Sequence, residues 1–499
     1  MATPLSPSCP SPHVILFPFM SKGHTIPLLH LAKLIHHHRP LATFTIFTTT
    51  GNHAFISDSL SSSIPPNLLN IISFPFPSHP AIPAGVESTD KFPSMSLLIP
   101  FVDAVERLQP LFESALEKLQ IHQNVTTCFL ISDGFLYWTQ ECASKFNIPR
   151  LMFYGMSTYA QGICRVVGEN RTLFEANGED ELIQVPDFPW IKVTKNDFDR
   201  VFLDEPKGAH FEFVAKCGIA TTKSYAILVN SLYEIESKFL EYWNSKYQPK
   251  AWLIGPLCLA EKPIPKTTKK PAWMEWLDRK RVEGKPVLYV AFGSQAEISD
   301  EQLKEIVIGL EKSEVDFLWA LRIKPEQEDH IMQGFEEKVK GRGLVVKGWI
   351  GQREVLEHES VRGFLSHCGW NSVIESICAG VPILAWPMMA EQHLNARMVT
   401  EEIKVGLRVE TCNGSVRGFV KWEGLAKMVK ELMEGEMGQV VRPRVKELSD
   451  AAKKAIQQGG TSWCNLELLL SKLETEPTIN YNDNGTLSPS SAVKVIKLH

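Results

Sequence analysis

The feature that most restricts the fold is an alternation of short, apolar, β-prone runs with helical stretches, present in both halves of the chain. In the first half the runs are HVILFPF, ATFTIFTTT, IISFPFP, TCFLISD, RLMFYG and SYAILVNS. In the second they are PVLYVAF, DFLWALR, LVVKGW, VRGFLS and VPILAWP, with helical segments such as DEQLKEIVIGLEKSE between them. Alternation of this kind predicts an α/β fold, a parallel sheet with helices on both faces. A chain of 499 residues, 44% of them hydrophobic, outgrows a single core, so two doubly wound domains are expected. The segment Leu259–Pro271, LAEKPIPKTTKKP, is polar, basic and proline-containing, a linker composition. The expected division is residues 1–250 and 251–475 with a linker at about 257–272, followed by a flexible tail, 476–499, that has lost helical period.

Charge and cysteine usage exclude several classes of function. The net charge is −5 with no long basic run, which argues against a nucleic-acid groove or an anionic membrane surface. The ten cysteines are never closer than ten positions apart, so they form no CxxC pair and read as reduced thiols. The opening MATPLSPSCPSPH lacks a basic start, and the apolar run Val14–Met20 is too short for a signal core. A cytoplasmic, monomeric protein without a membrane span is therefore expected. His36, His37 and His38 are adjacent on a helix and point in different directions, so no metal site is expected there.

The chemistry is concentrated in Trp349–Gln392, which holds two strand-to-helix junctions in 44 residues. At the first, VRGFLS runs into HCGWNSVIES; Gly369 permits close approach of a ligand to the backbone, and Asn371 and Ser372 open a helix. The free N–H groups and positive dipole end of that helix suit a diphosphate, with His367, Asn371 and Ser372 adding side-chain donors. One turn on, Glu375 can accept from a ribose diol. At the second junction Glu391 and Gln392 begin another helix and offer groups to sugar hydroxyls. Trp349 is suited to stacking on a base. Singly, each has a plainer structural explanation: the tryptophans as core, Gly369 as a turn, Asn371 or Ser372 as a cap.

In combination, over its whole length, this window resembles the signature box of plant family-1 UDP-glycosyltransferases. The resemblance extends through most of the chain and includes the AFGS turn, Ala291–Ser294, where Ser294 can present a hydroxyl to phosphate. It implies the GT-B fold, with the donor bound by the C-terminal half and the acceptor by the N-terminal half. It further implies that Trp349 and the backbone near Gln352 hold uracil, Glu375 the ribose, His367, Asn371 and Ser372 the phosphates, and Trp370, Glu391 and Gln392 the sugar. The family carries Asp or Glu at the position of Glu391.

A second constellation lies in the first half. His24, in SKGHTIP, follows the first strand, with Pro27 fitting the first turn of a helix, and Asp133 ends the strand FLISD. Both therefore stand on the carboxyl rim where open α/β sheets bind ligands. If the two strands are neighbours, Asp133 can hold one imidazole nitrogen of His24 while the other accepts a proton. This pair resembles the His–Asp dyad of the family, which implies an inverting transfer from a UDP-sugar, most simply UDP-glucose, giving a β-glycoside. UDP-sugar is then a co-substrate; no further cofactor and no metal are expected, because donors and a helix dipole replace the cation. Loops at Ser78–Pro100 and Tyr154–Val185, with Phe92, Met95, Tyr154, Met156 and Tyr159, suit a flat phenolic acceptor such as a flavonoid. Attack by a ring carbon would give a C-glycoside from the same dyad, so the bond type stays open. A catalytically weak UDP-sugar binder is the alternative from another class. A nicotinamide oxidoreductase is rejected because SKGHTIP has one glycine where G-x-G-x-x-G is needed, and an animal-type membrane glucuronosyltransferase because neither signal nor span is present.

Overall fold

A computed structural model describes residues 11–122, 128–203, 207–260, 270–322, 327 and 330–475. The first lobe is a seven-stranded sheet. Its strands are β1 (His13–Phe17), β2 (Thr43–Thr49), β3 (Leu69–Phe74), β4 (Cys128–Asp133), β5 (Arg150–Tyr154), β8 (Ala226–Val229) and β9 (Ala251–Leu253). A hairpin of β6 (Ile183–Val185) and β7 (Phe188–Val193) stands apart. The order is β3-β2-β1-β4-β5-β8-β9, every neighbour parallel. All five residues of β1 are buried, as a central strand with helices on both faces requires. The second lobe has β10 (Val287–Ala291), β11 (Asp316–Leu321), β12 (Gly343–Lys347), β13 (Val361–Ser366), β14 (Ile383–Ala385) and β15 (Gly406–Arg408). Its order is β12-β11-β10-β13-β14-β15, again all parallel.

Each sheet reverses its direction of growth once, between β1 and β4 in the first and between β10 and β13 in the second. At such a switch point the two following connections leave toward opposite faces and open a crevice at the carboxyl ends of the strands. β1 leads to His24 and β4 ends at Asp133; β10 leads to Ser294 and β13 to His367. The His24–Asp133 pair and the junctions that carry Ser294 and His367 thus lie at switch points, while Trp349 and Glu391 follow β12 and β14, farther out in the sheet. The expected helix after β10 forms at Asp300–Ser313, where the Ser299 hydroxyl accepts from the Gln302 amide at 3.2 Å.

Sequence division at residue 250 assigns β9 to the second unit, yet it pairs with β8 in the first sheet. The helix Thr461–Thr475 also returns to the first lobe. Its Leu466, Leu469, Leu470 and Leu473 share a core with Val14, Leu16, Leu28 and Leu31. Arg39 pairs with Glu467 at 2.9 Å and Glu474 at 2.7 Å, and His38 stacks on Trp463 with ring centroids 3.7 Å apart. The triple histidine therefore belongs to this packing. Of the expected linker, Leu257–Ala260 is a short 3-10 turn with Leu257 and Cys258 buried, and residues 261–269 lie outside the described residues, as does the expected tail. Among the described residues no helix is long and apolar enough to cross a membrane, and no group of three or more His, Cys, Asp or Glu is placed to hold a metal.

Candidate active site

On the first lobe, the chain leaves β1 through a tight turn closed by the Ser21 amide on the Phe19 carbonyl at 2.8 Å, and the helix Lys22–His38 begins at once. His24 is its third residue. Because β1 and β4 are paired neighbours, Asp133 at the end of β4 reaches the imidazole: His24 Nδ1 lies 2.8 Å from Asp133 Oδ2. The other carboxylate oxygen accepts the Phe135 amide at 2.9 Å, which fixes the buried Asp133. Phe19 and Phe135 flank the ring at 5.6 and 5.0 Å. Burial among these groups would lower the imidazole pKa, but the Asp133 charge and hydrogen bond, helped by Glu391, outweigh it and raise the pKa above its ordinary value. With Nδ1–H donating to Asp133, neutral His24 keeps the Nε2 lone pair for a proton from a ligand.

Pro27 falls at the sixth helical residue, one turn later than expected from the sequence. Having no N–H, it cannot bond the carbonyl four residues back, which is that of Gly23. That carbonyl instead accepts from Asn371 Nδ2 of the second lobe at 2.6 Å. The lobes also meet where Gln295 Nε2 donates to Thr89 Oγ1 at 2.6 Å and Arg322 Nη2 to the Asp90 carbonyl at 2.7 Å.

On the second lobe, β13 ends in a turn with Cys368 at φ +62°, and the helix Trp370–Ala379 starts after Gly369 without a side-chain cap. An uncapped helix start leaves its first amides for an anion. The His367 imidazole sits against two glycines: a Cβ on Gly293 or on Gly369 would lie 2.6 Å from its Nε2. Burial pushes the His367 pKa down to about 4, against a hydrogen bond with the Ala291 backbone. Gln352 donates to Ser372 Oγ at 2.9 Å and to Glu375 Oε2 at 2.7 Å. Burial pushes the Glu375 carboxyl up to about 7 in spite of that bond. Trp349 exposes 57% of its surface, and the Lys22 ammonium from the opposite lobe lies 4.5 Å from its ring centroid. After β14, Gln392 turns its carboxamide oxygen to the amides of Met388 and Met389, at 3.0 and 3.1 Å, which leaves its amide nitrogen to meet a ligand. Burial raises the Glu391 pKa while His24 opposes the rise.

A cavity of about 1390 Å³ runs between these faces, lined by His24, Asp133, Ser294, Trp349, Gln352, His367, Gly369, Trp370, Asn371, Ser372, Glu375, Glu391 and Gln392 together. Three expectations are corrected in detail. The Trp370 indole is buried, with Nε1–H donated to the Asn230 carbonyl at 2.9 Å, so this residue can meet a sugar only through other atoms. The Asn371 amide is engaged by Gly23 and by Asn230 Nδ2, the latter at 3.2 Å. Met95, Tyr154 and Met156 line the cavity, whereas Phe92 packs on Phe101 and Tyr159 on Phe239 in the core. Residues missed from sequence, Phe19, Phe135, Phe198, Phe202, Phe213 and Val214, supply much of the apolar wall. The signal available for the last two was the one-sided apolar pattern of the helix Ala209–Lys223.

Comparison with known proteins identifies the family. Residues 229–437 match the family model described as UDP-glucoronosyl and UDP-glucosyl transferase. The chain is 53% identical to UDP-glycosyltransferase 90A1 of Arabidopsis thaliana, over 92% of this chain and 96% of that protein. It is 35% identical to scopoletin glucosyltransferase of Nicotiana tabacum, over 93% and 98%. Among solved structures, UGT2 of Phytolacca americana complexed with UDP-2fluoro-glucose and pterostilbene superposes with a TM-score of 0.75 at 28% identity, covering 93% of this chain and 100% of that one. With two facing parallel-sheet lobes and relatives of this identity along nearly its whole length, the chain belongs to the plant family-1 UDP-glycosyltransferases, enzymes of the GT-B fold that transfer a glycosyl group from a UDP-sugar.

Proposed function

We propose that the protein transfers glucose from UDP-glucose to a hydroxyl of a small phenolic acceptor, with inversion, and that His24 is the general base. The observation that carries this reading is the 2.8 Å contact between His24 Nδ1 and Asp133 Oδ2 on a cavity wall opposite the uncapped helix start at Gly369. The Nε2 lone pair takes the acceptor proton as the oxygen attacks the anomeric carbon from the side opposite UDP, and Asp133 stabilises the imidazolium. Negative charge then grows on the departing diphosphate. It meets the helix amides and the Ser372 and Ser294 hydroxyls, which are donors rather than metal-binding carboxylates, so the departure proceeds without a divalent ion. Trp349 stacks on uracil, the backbone near Gln352 holds its edge, Glu375 takes the ribose diol, and Glu391 and Gln392 take sugar hydroxyls.

The phenolic class is supported by the apolar wall of Phe19, Phe135, Phe198 and Phe213, and by relatives and neighbours whose names carry scopoletin and pterostilbene. Glucose is supported by the same names and by acidic Glu391, which disfavours a uronic acid. The test is a mass-spectrometric screen of phenolic acceptors against UDP-glucose, UDP-galactose, UDP-xylose and UDP-rhamnose, with NMR of the anomeric proton. A β-glucoside that His24→Ala no longer makes, while that variant still binds UDP, is the expected result. An α-linked product, or full turnover by His24→Ala, would refute the mechanism; preference for another donor would refute the sugar.

A further inference from the structure

Lys22 stands two residues before His24, and no part of the scheme above uses it. Its ammonium crosses the cleft to lie 4.5 Å from the Trp349 ring centroid, with Asp90 Oδ2 at 4.0 Å. We propose that Lys22 is a ligand of the donor diphosphate supplied from the acceptor lobe, and that it leaves the Trp349 face when the base stacks there. This rests on the UDP-sugar reading of the cavity. Three observations combine. First, a base on the cleft-facing side of Trp349 and the ammonium cannot share one face, so donor entry obliges Lys22 to find another partner. Second, the next residue, Gly23, is bonded through its carbonyl to Asn371, the second residue of the helix whose uncapped start faces the cavity. The root of the lysine side chain is thereby tethered beside the anion site. Third, among the described residues the helix start itself, Trp370–Ala379, carries no Lys or Arg, and burial holds the adjacent His367 neutral with a pKa of about 4. The other cations on the cavity wall are engaged elsewhere: Arg353 with Glu357, Arg165 with Glu169, Arg200 with Glu179 and Arg322 with the Asp90 carbonyl. A lysine here therefore swings between the Trp349 ring, with Asp90 beside it, and the diphosphate.

The test separates the two ends of the nucleotide. Wild type, Lys22→Gln and Lys22→Arg are titrated calorimetrically with UDP and with uridine at two salt concentrations. Lys22→Gln is expected to weaken UDP roughly tenfold, the usual scale for one charge-assisted contact. Uridine should bind this variant as well as or better than wild type, since no cation has to leave Trp349. Lys22→Arg should keep UDP affinity within about threefold, and the salt dependence of UDP binding should be shallower in Lys22→Gln. Equal weakening of UDP and uridine, or unchanged UDP affinity, would overturn the assignment of Lys22 alone. A wild-type protein that binds neither nucleotide would overturn the donor site itself.

Discussion

Gly293→Ala should weaken both the second lobe and its grip on UDP, and its cost can be divided using two companion variants. Gly293 has φ +78°, a conformation that costs a residue with a Cβ about 1 to 2 kcal/mol. The new methyl would also lie 2.6 Å from His367 Nε2 and 2.9 Å from its Cε1. Ordinary carbon contacts begin near ~3.5 Å, so the ring must retreat by roughly 1 Å. A Cβ added at Gly369 would likewise lie 2.6 Å from the same nitrogen, so either substitution forces the ring to shift. Overpacking of this kind costs about 1 to 3 kcal/mol, giving about 2 to 5 kcal/mol in all. Gly284→Ala isolates the strain, because Gly284 has φ +68° with nothing within 4 Å of the added methyl. Gly369→Ala isolates the crowding, because its φ of −56° is ordinary. Urea unfolding reports the stability cost, and calorimetry with UDP reports whether His367 has moved off its position. The expected order of instability is Gly293→Ala above either companion, with UDP binding weakened in the two variants that touch His367 and unchanged in Gly284→Ala. If Gly293→Ala proved no less stable than Gly284→Ala and bound UDP like the parent, the two glycines would not be what seats the imidazole.

Since Asp133 raises the His24 pKa above 6.5, the imidazolium persists to a higher pH, and kcat/KM should fall as pH drops through a value above 6.5. Asp133→Asn should move that limb to lower pH and cut kcat by about 10³ to 10⁴ by losing the tautomer lock; a limb that stays put would remove Asp133 from the dyad. Glu375, its carboxyl held up at about 7, accepts best when ionised, so UDP affinity should improve as pH rises through that value. Glu375→Gln should abolish this dependence and weaken UDP by about 1 to 3 kcal/mol in calorimetry, and an unchanged titration would take the ribose away from Glu375. Exhaustive chelation should leave turnover unaltered, whereas a loss restored only by a divalent ion would contradict a departure stabilised by amides and hydroxyls.

What could be read from the sequence depended on run length and on neighbours in the chain. β1, β4, β10 and β13 are five- or six-residue apolar runs and can be read directly; β14 has only three residues but shows because it lies inside the longer apolar run VPILAWP, whereas β9 and β15, equally short, go unread. The box could be read because its residues are contiguous across two junctions, and the dyad because each member ends a recognisable strand. Side-chain direction was another matter. Trp370 adjoins the helix start that faces the cavity, but as the first residue of that helix it turns its ring inward beneath Asn230. The apolar face of Thr461–Thr475 announces burial without saying against which lobe, and only the fold shows it closing over β1 and the first helix.

The proline in SKGHTIP shows how a local rule becomes an interdomain contact. Inside a helix a proline costs one hydrogen bond, about 3 kcal/mol or more when the freed carbonyl goes unanswered. Here the freed carbonyl belongs to Gly23, the residue immediately before His24, and the group that answers it is Asn371 at the mouth of the opposite lobe. In this arrangement the freed carbonyl is answered across the cleft instead of within the helix, which ties the segment carrying the imidazole to the helix start that faces it. A residue that reads from sequence as a simple helix-start signal is, in three dimensions, what makes the carbonyl available for closure. The dyad and the phosphate-facing helix start each stand at a switch point, so each lobe alone leaves an open crevice, and the contact between Gly23 and Asn371 lies where the two crevices meet in one cavity.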